Sequence, residues 1–148
     1  MSQPVEIDPR TLRFNAVVTS VIVAAAIVAV EPVPAVAIAL VGLQLVVFVI
    51  GGFYRVTATP YAVMYARSVR PRIGPPRELQ DSGGPVFSHV VGTLFLAAAL
   101  AALLTGAAVV AYIALALALV AALLNASIGL CLGCELYVIL QRLQTSKV

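Results

Sequence analysis

The sequence predicts an all-α fold: a bundle of four transmembrane helices, built as two helical hairpins with both termini in the cytoplasm. Three observations carry this reading. Of 148 residues, 62% are hydrophobic and 10% charged, with a mean hydropathy of +1.09; a soluble domain keeps about 25% of its residues charged. All the charges but Glu31 gather in three short stretches, and four long uncharged runs lie outside them. All nine basic residues, finally, sort to one side of those runs.

A helix needs about 20 residues to cross a hydrocarbon core of about 30 Å. Runs of that order occupy residues 14–30, 33–54, 86–104 and 107–130. The first follows Arg10 and Arg13, as the apolar part of a secretory signal would. Glu31-Pro32-Val33-Pro34 then leads straight into a second apolar run with no mature domain between them, so the first is read as a retained helix. The Pro32/Pro34 pair and Thr105-Gly106 are tight-turn chemistry that closes a hairpin in each half. A polar loop over 55–85 joins the hairpins, and an interfacial helix is expected over 131–143. The whole chain, 1–148, is read as one integral membrane domain.

Arg10 and Arg13 precede the first run, Arg55, Arg67, Arg70, Arg72 and Arg77 lie in the central loop, and Arg142 and Lys147 follow the last run. By the positive-inside rule that side is the cytoplasm, which makes the chain a multi-pass membrane protein with both termini on the inner side. The opposite side holds Glu31 and two short turns. The net charge of +3 is not a nucleic-acid signal, because no predicted helix repeats a basic face and no basic patch alternates with stacking aromatics.

Inside the runs, Ala114, Ala118, Ala122 and Ala126 form a stripe of small residues that favours close helix contact. Gln44 falls near the centre of the second run, where an unpaired amide is costly. It is read first as interhelical glue and second as a substrate contact. No carboxylate lies within a run, which weighs against a proton-coupled carrier. Phosphate-binding glycine loops, zinc-protease helices and serine elbows are also missing from the sequence.

Cys131-Leu132-Gly133-Cys134 is the one recognisable chemical motif. From Ala107 to Cys134 there are 28 uncharged residues, which would extend about 42 Å as one helix. The pair therefore emerges at the cytoplasmic interface, or the helix breaks ahead of it at Asn125, Ser127 and Gly129. Three readings compete: a redox or sulfur-handling dithiol, a metal site, and an incidental pair. A thiolate at a helix start is stabilised by the dipole and free N–H groups, which favours the first. Glu135 opposes it by like charge unless arginines approach. A metal site would need a partner chain, since zinc takes four ligands and the chain adds only the distant His89.

His89, beside Ser88 near the same interface, can carry a proton or simply hydrogen-bond to the loop. In the loop, prolines at 71, 75 and 76 restrict the backbone. Arg70, Arg72 and Arg77 there serve membrane topology or dock an acidic partner or anion. No cofactor is called for.

These residues resemble a family of small bacterial membrane proteins, common in actinobacteria and known only as a domain of unknown function. The likeness spans nearly the whole chain. It rests on Asp8-Pro9-Arg10 with Arg13-Phe14, on Thr59-Pro60-Tyr61 with the run from Val69 to Pro76, and on Leu124-Asn125 through Cys131-Leu132-Gly133-Cys134-Glu135-Leu136-Tyr137. Family members often carry a proline-rich acidic segment where this chain has 80–85. The resemblance implies genomic association with thioredoxin-like and sulfurtransferase proteins, hence a thiol or sulfur role for Cys131 and Cys134. The expected function is a membrane component for thiol/disulfide exchange or sulfur transfer, with Glu135 or His89 moving the proton. Its rivals are a non-catalytic subunit or scaffold of a larger complex, as a homodimer or with other chains, and a small-solute channel or carrier.

Overall fold

The computed structural model describes residues 6–81, 83–129 and 132–146. Four long helices dominate: α1 (Pro9–Ala29), α2 (Pro34–Phe53), α5 (Gly83–Thr105) and α6 (Ala108–Ile128). Each is long and apolar enough to cross a membrane. Between α2 and α5 lie a 3-10 turn at Val56–Ala58 and two short helices, α3 (Pro60–Ser68) and α4 (Arg70–Ile73); α7 (Leu132–Ser146) closes the chain. Among the described residues the β-structure is one antiparallel pairing of β1 (Glu6–Ile7) with β2 (Gln80–Asp81).

Local chemistry sets the helix ends. Helix α1 starts ahead of the uncharged run because Asp8 Oδ1 accepts the Arg10 N–H at 2.9 Å and Pro9 occupies the first helical position. It can run through Arg10 and Arg13 because its polar residues Thr11, Asn15, Thr19 and Ser20 are buried while Arg13 is exposed. The turn into α2 is closed by the Val33 N–H donating to Ala29 O at 3.0 Å, with Pro34 beginning the next helix. Gly129, in the left-handed region at φ +72°, ends α6, and its N–H donates to Asn125 O at 3.1 Å. The long apolar run thus breaks ahead of the cysteines.

The four long helices make their main contacts in the cyclic order α1, α2, α5, α6 and back to α1. Their shared core is lined by Val23, Ala26, Ala37, Val41, Leu96, Ala99, Ala114 and Leu115. The alanines bring helix backbones close, the packing mode available where lipid removes the hydrophobic drive between helices. Outward, Val21, Val28, Val46, Leu94, Val109 and Ile113 are exposed. An apolar exterior of this kind is solvated by a bilayer and not by water.

The segment expected as a polar loop over 55–85 is partly core. Val56, Thr59, Tyr61, Ala62 and Tyr65 are buried, and α3 packs on α1 with the Phe14 and Tyr65 ring centroids 5.5 Å apart. Thr59-Pro60-Tyr61 is a helix start: Thr59 Oγ1 accepts the Ala62 N–H at 3.3 Å and Pro60 takes the first helical position. Arg10 bridges its own Asp8 at 3.1 Å and donates to Gly74 O at 3.0 Å, so the N-terminal motif holds the proline-rich one. Glycine is required at 74, where φ is +78°. Gly83 and Pro85 belong to the first turn of α5, not to the loop, because Pro is tolerated there and Asp81 Oδ1 accepts the Gly83 N–H at 3.3 Å.

Candidate functional site

The cysteine motif is positioned by the docking of α7 on the start of α5, and three glycines make that docking possible. A Cβ on Gly83 would stand 2.8 Å from Tyr137 Oη. One on Gly84 would stand 3.0 Å from Cys134 Cβ and 3.1 Å from its Sγ, and one on Gly133 would stand 2.6 Å from Ser88 Cα. Phe87 and Tyr137 complete the contact, their ring centroids 5.9 Å apart. Gly83-Gly84, which falls in the polar loop expected over 55–85, is a docking surface.

Cys134 is half-buried on the first turn of α7 and is disulfide-bonded. Cys131 lies outside the described residues. Glu135 is exposed on the same first turn, where the helix dipole favours a carboxylate. Among the described residues, the arginine that reaches the segment ahead of the motif comes from α1 and not from the central loop. Arg13 Nη2 donates to Ser127 O at 3.1 Å and to Ala126 O at 3.3 Å, neutralising the carbonyl end of α6. Arg70, Arg72 and Arg77 are exposed on and just after α4.

His89 sits in the second turn of α5, buried between α5 and α2 and not at the loop-facing surface. A Cβ on Gly51 would stand 2.2 Å from its Cδ2, and the Phe48 ring centroid is 4.8 Å away. Its Nδ1 lies 2.9 Å from Pro85 O of the same helix. A carbonyl only accepts, so Nδ1 carries the proton and Nε2 keeps its lone pair in the neutral ring.

Behind the motif is a cavity of about 290 Å³ among α1, α2, α5, α6 and α7. Asn15, Thr19, Ser88, His89 and Asn125 give it polar groups, Phe48 and Phe95 give it aromatic walls, and Gly133 brings the cysteine motif to its edge. Asn15 is buried, and neither Oδ1 nor Nδ2 has a partner. Ala118 and Ala122 of the small-residue stripe border this space, whereas Ala114 packs in the core. Sequence reasoning missed Asn15 and Arg13 as site residues. The available signal was a polar residue two positions after an arginine inside an apolar run.

Gln44 is fully buried and accepts a hydrogen bond at Oε1 from Tyr61 Oη. Its partner is therefore the short helix α3 and not another long helix. Burial pushes the Tyr61 phenol upward; burial and then the Asp8 charge do the same at Tyr65, against Arg10 and Arg70.

Residues 7–142 match the model of a family described as "domain of unknown function (DUF4395)". The chain belongs to that family. The DUF4395 match takes in all four long helices, the docking glycines and the cysteine motif. No curated protein and no solved structure matches the chain.

Proposed function

We propose that this DUF4395 chain is a membrane component for thiol/disulfide exchange or sulfur transfer, whose working group is the pair Cys131 and Cys134 at the cytoplasmic face. One observation carries the reading: Cys134, disulfide-bonded, stands on the first turn of α7 and is docked through Gly84 and Gly133 beside a cavity with unpartnered polar groups. The N–H groups of a helix start stabilise a thiolate, which is the reactive form. Arg13, bonded to Ala126 O and Ser127 O, brings a positive charge to the segment just ahead of the motif.

A thioredoxin-like or sulfurtransferase partner supplies the other sulfur. Its thiolate attacks Cys131, the Cys131–Cys134 bond breaks, and Cys134 leaves as a thiolate. The partner's second thiolate then breaks the mixed disulfide, releasing reduced Cys131 and an oxidised partner. Glu135 and His89 are the nearby groups able to pass the protons. The orientation belongs to the same proposal: two hairpins in a bacterial inner membrane, termini and motif in the cytoplasm. Supporting it are the one-sided placement of the nine basic residues and the Arg13 bonds, which put the start of α1 and the end of α6 at one end of the bundle.

The test is alkylation by a membrane-impermeant maleimide in intact cells and in inverted vesicles, before and after reduction, scored by mass at each cysteine. Labelling of both cysteines only after reduction, and only in inverted vesicles, is the expected result. Cysteines that label without reduction, or stay unreactive after it, count against the exchange reading. Labelling in intact cells overturns the orientation.

A further inference from the structure

We infer that the cavity beside the cysteine motif binds the ring of a membrane-soluble quinone, which accepts the two electrons of the reduced pair. The inference rests on the dithiol reading above. At about 290 Å³ the space is at the small end for ligand sites and suits one substituted ring. Phe48 and Phe95 offer flat apolar walls for such a ring. Leu117 and Leu136 also line the space and are exposed on the outer face, so it opens where lipid lies against the helices. A ligand entering there comes from the bilayer.

The polar groups suit both redox forms. Asn15 is 6% exposed and both its amide atoms lack partners; an unmet buried group of this kind is costly, and a bound ligand that pairs with it relieves the cost. Its Nδ2 can donate to a quinone carbonyl. His89 keeps an acceptor at Nε2, which suits the hydroxyl of the reduced form. Gly133 lies in the cavity wall and Cys134 is the next residue, so the site sits where the electrons are released. In the step itself two thiols become one disulfide, giving up two electrons and two protons. Both electrons enter the quinone, and the two protons bond to its carbonyl oxygens, making the hydroquinone.

The test uses the full chain in lipid nanodiscs with decylubiquinone and an azido-quinone photolabel. Reduced wild-type protein should convert the quinone to hydroquinone, and the label should map to residues of α1, α5 and α6 that line the cavity. Ala118→Phe, which fills the space, should cut labelling and quinone reduction about ten-fold, while exchange between the disulfide and reduced thioredoxin continues at the wild-type rate. Asn15→Leu, close to isosteric, should weaken labelling several-fold and answers the question if Ala118→Phe fails to fold. Cys134→Ser should bind the label and reduce no quinone.

Exchange with thioredoxin but no quinone labelling, or quinone reduction undiminished in both cavity variants, overturns this inference and leaves the dithiol reading standing. Cysteines inert towards both thioredoxin and quinone overturn the two together.

Discussion

Tyr61, on the short helix after the second span, donates a hydrogen bond from Oη to Oε1 of Gln44, halfway along that span. The bond pulls a segment that reads as loop into the bundle. It leaves Gln44 Nε2 without a partner among the described residues, so the amide is held through its acceptor alone. Tyr61→Phe removes that hold and should destabilise the protein by about 1–3 kcal/mol. The double variant Tyr61→Phe/Gln44→Leu, which removes both polar ends, should recover much of the loss. Thermal unfolding in detergent checks this; a Tyr61→Phe protein as stable as wild type would rule out an energetic role for the bond.

Alkaline pH should act through the same residue. Burial holds the Tyr61 phenol above its ordinary value of about 10. The fold therefore favours the neutral phenol. That contribution to stability is present below about pH 10 and is lost as pH rises through the raised folded value. Tyrosinate absorbance of wild type minus Tyr61→Phe should show one phenol titrating later than free tyrosine. A difference curve centred at the ordinary value would contradict the burial.

Gly51 and Gly42 lie on one helix and should respond in opposite directions. A Cβ on Gly51 would overlap the His89 ring, at 2.2 Å from Cδ2, whereas one on Gly42 meets nothing within 4 Å. Gly51→Ala should cost about 1–3 kcal/mol through overpacking. Gly42→Ala should be neutral or gain up to about 1 kcal/mol from helix propensity. Melting temperatures of the two variants in one detergent decide it, and equal effects would contradict the placement of His89.

Arg13→Gln should loosen the chain ahead of the cysteines. The wild-type guanidinium donates to Ser127 O and Ala126 O in the last turn of α6, where carbonyls otherwise lack intrahelical partners. Hydrogen exchange of the amides at 127–129 should quicken several-fold, with little change in the melting temperature because the side chain is exposed. Exchange that stays at the wild-type rate would show that Arg13 does not hold this end.

The four long helices were legible from composition because a bilayer demands a run of apolar residues and satisfied backbone groups whatever the packing partners are. Tight turns at Pro34 and Gly106, and a break near Gly129, were legible for a similar reason: proline and glycine act through local backbone sterics. The cysteine spacing is likewise local, and it singled out a candidate site without showing what surrounds it.

Tertiary structure alone decided which polar residues meet. That Tyr61 reaches Gln44, that Arg10 holds Gly74, that Arg13 bonds to Ser127 ahead of the motif, and that Asn15 and His89 border one cavity are contacts between different elements of the chain. No periodicity encodes such pairings, since they depend on how helices rotate and stack. Gly83 and Gly84 show the difference in one place: in the sequence they fall in the expected loop, and only the arrival of α7 makes them the surface on which Tyr137 and Cys134 rest.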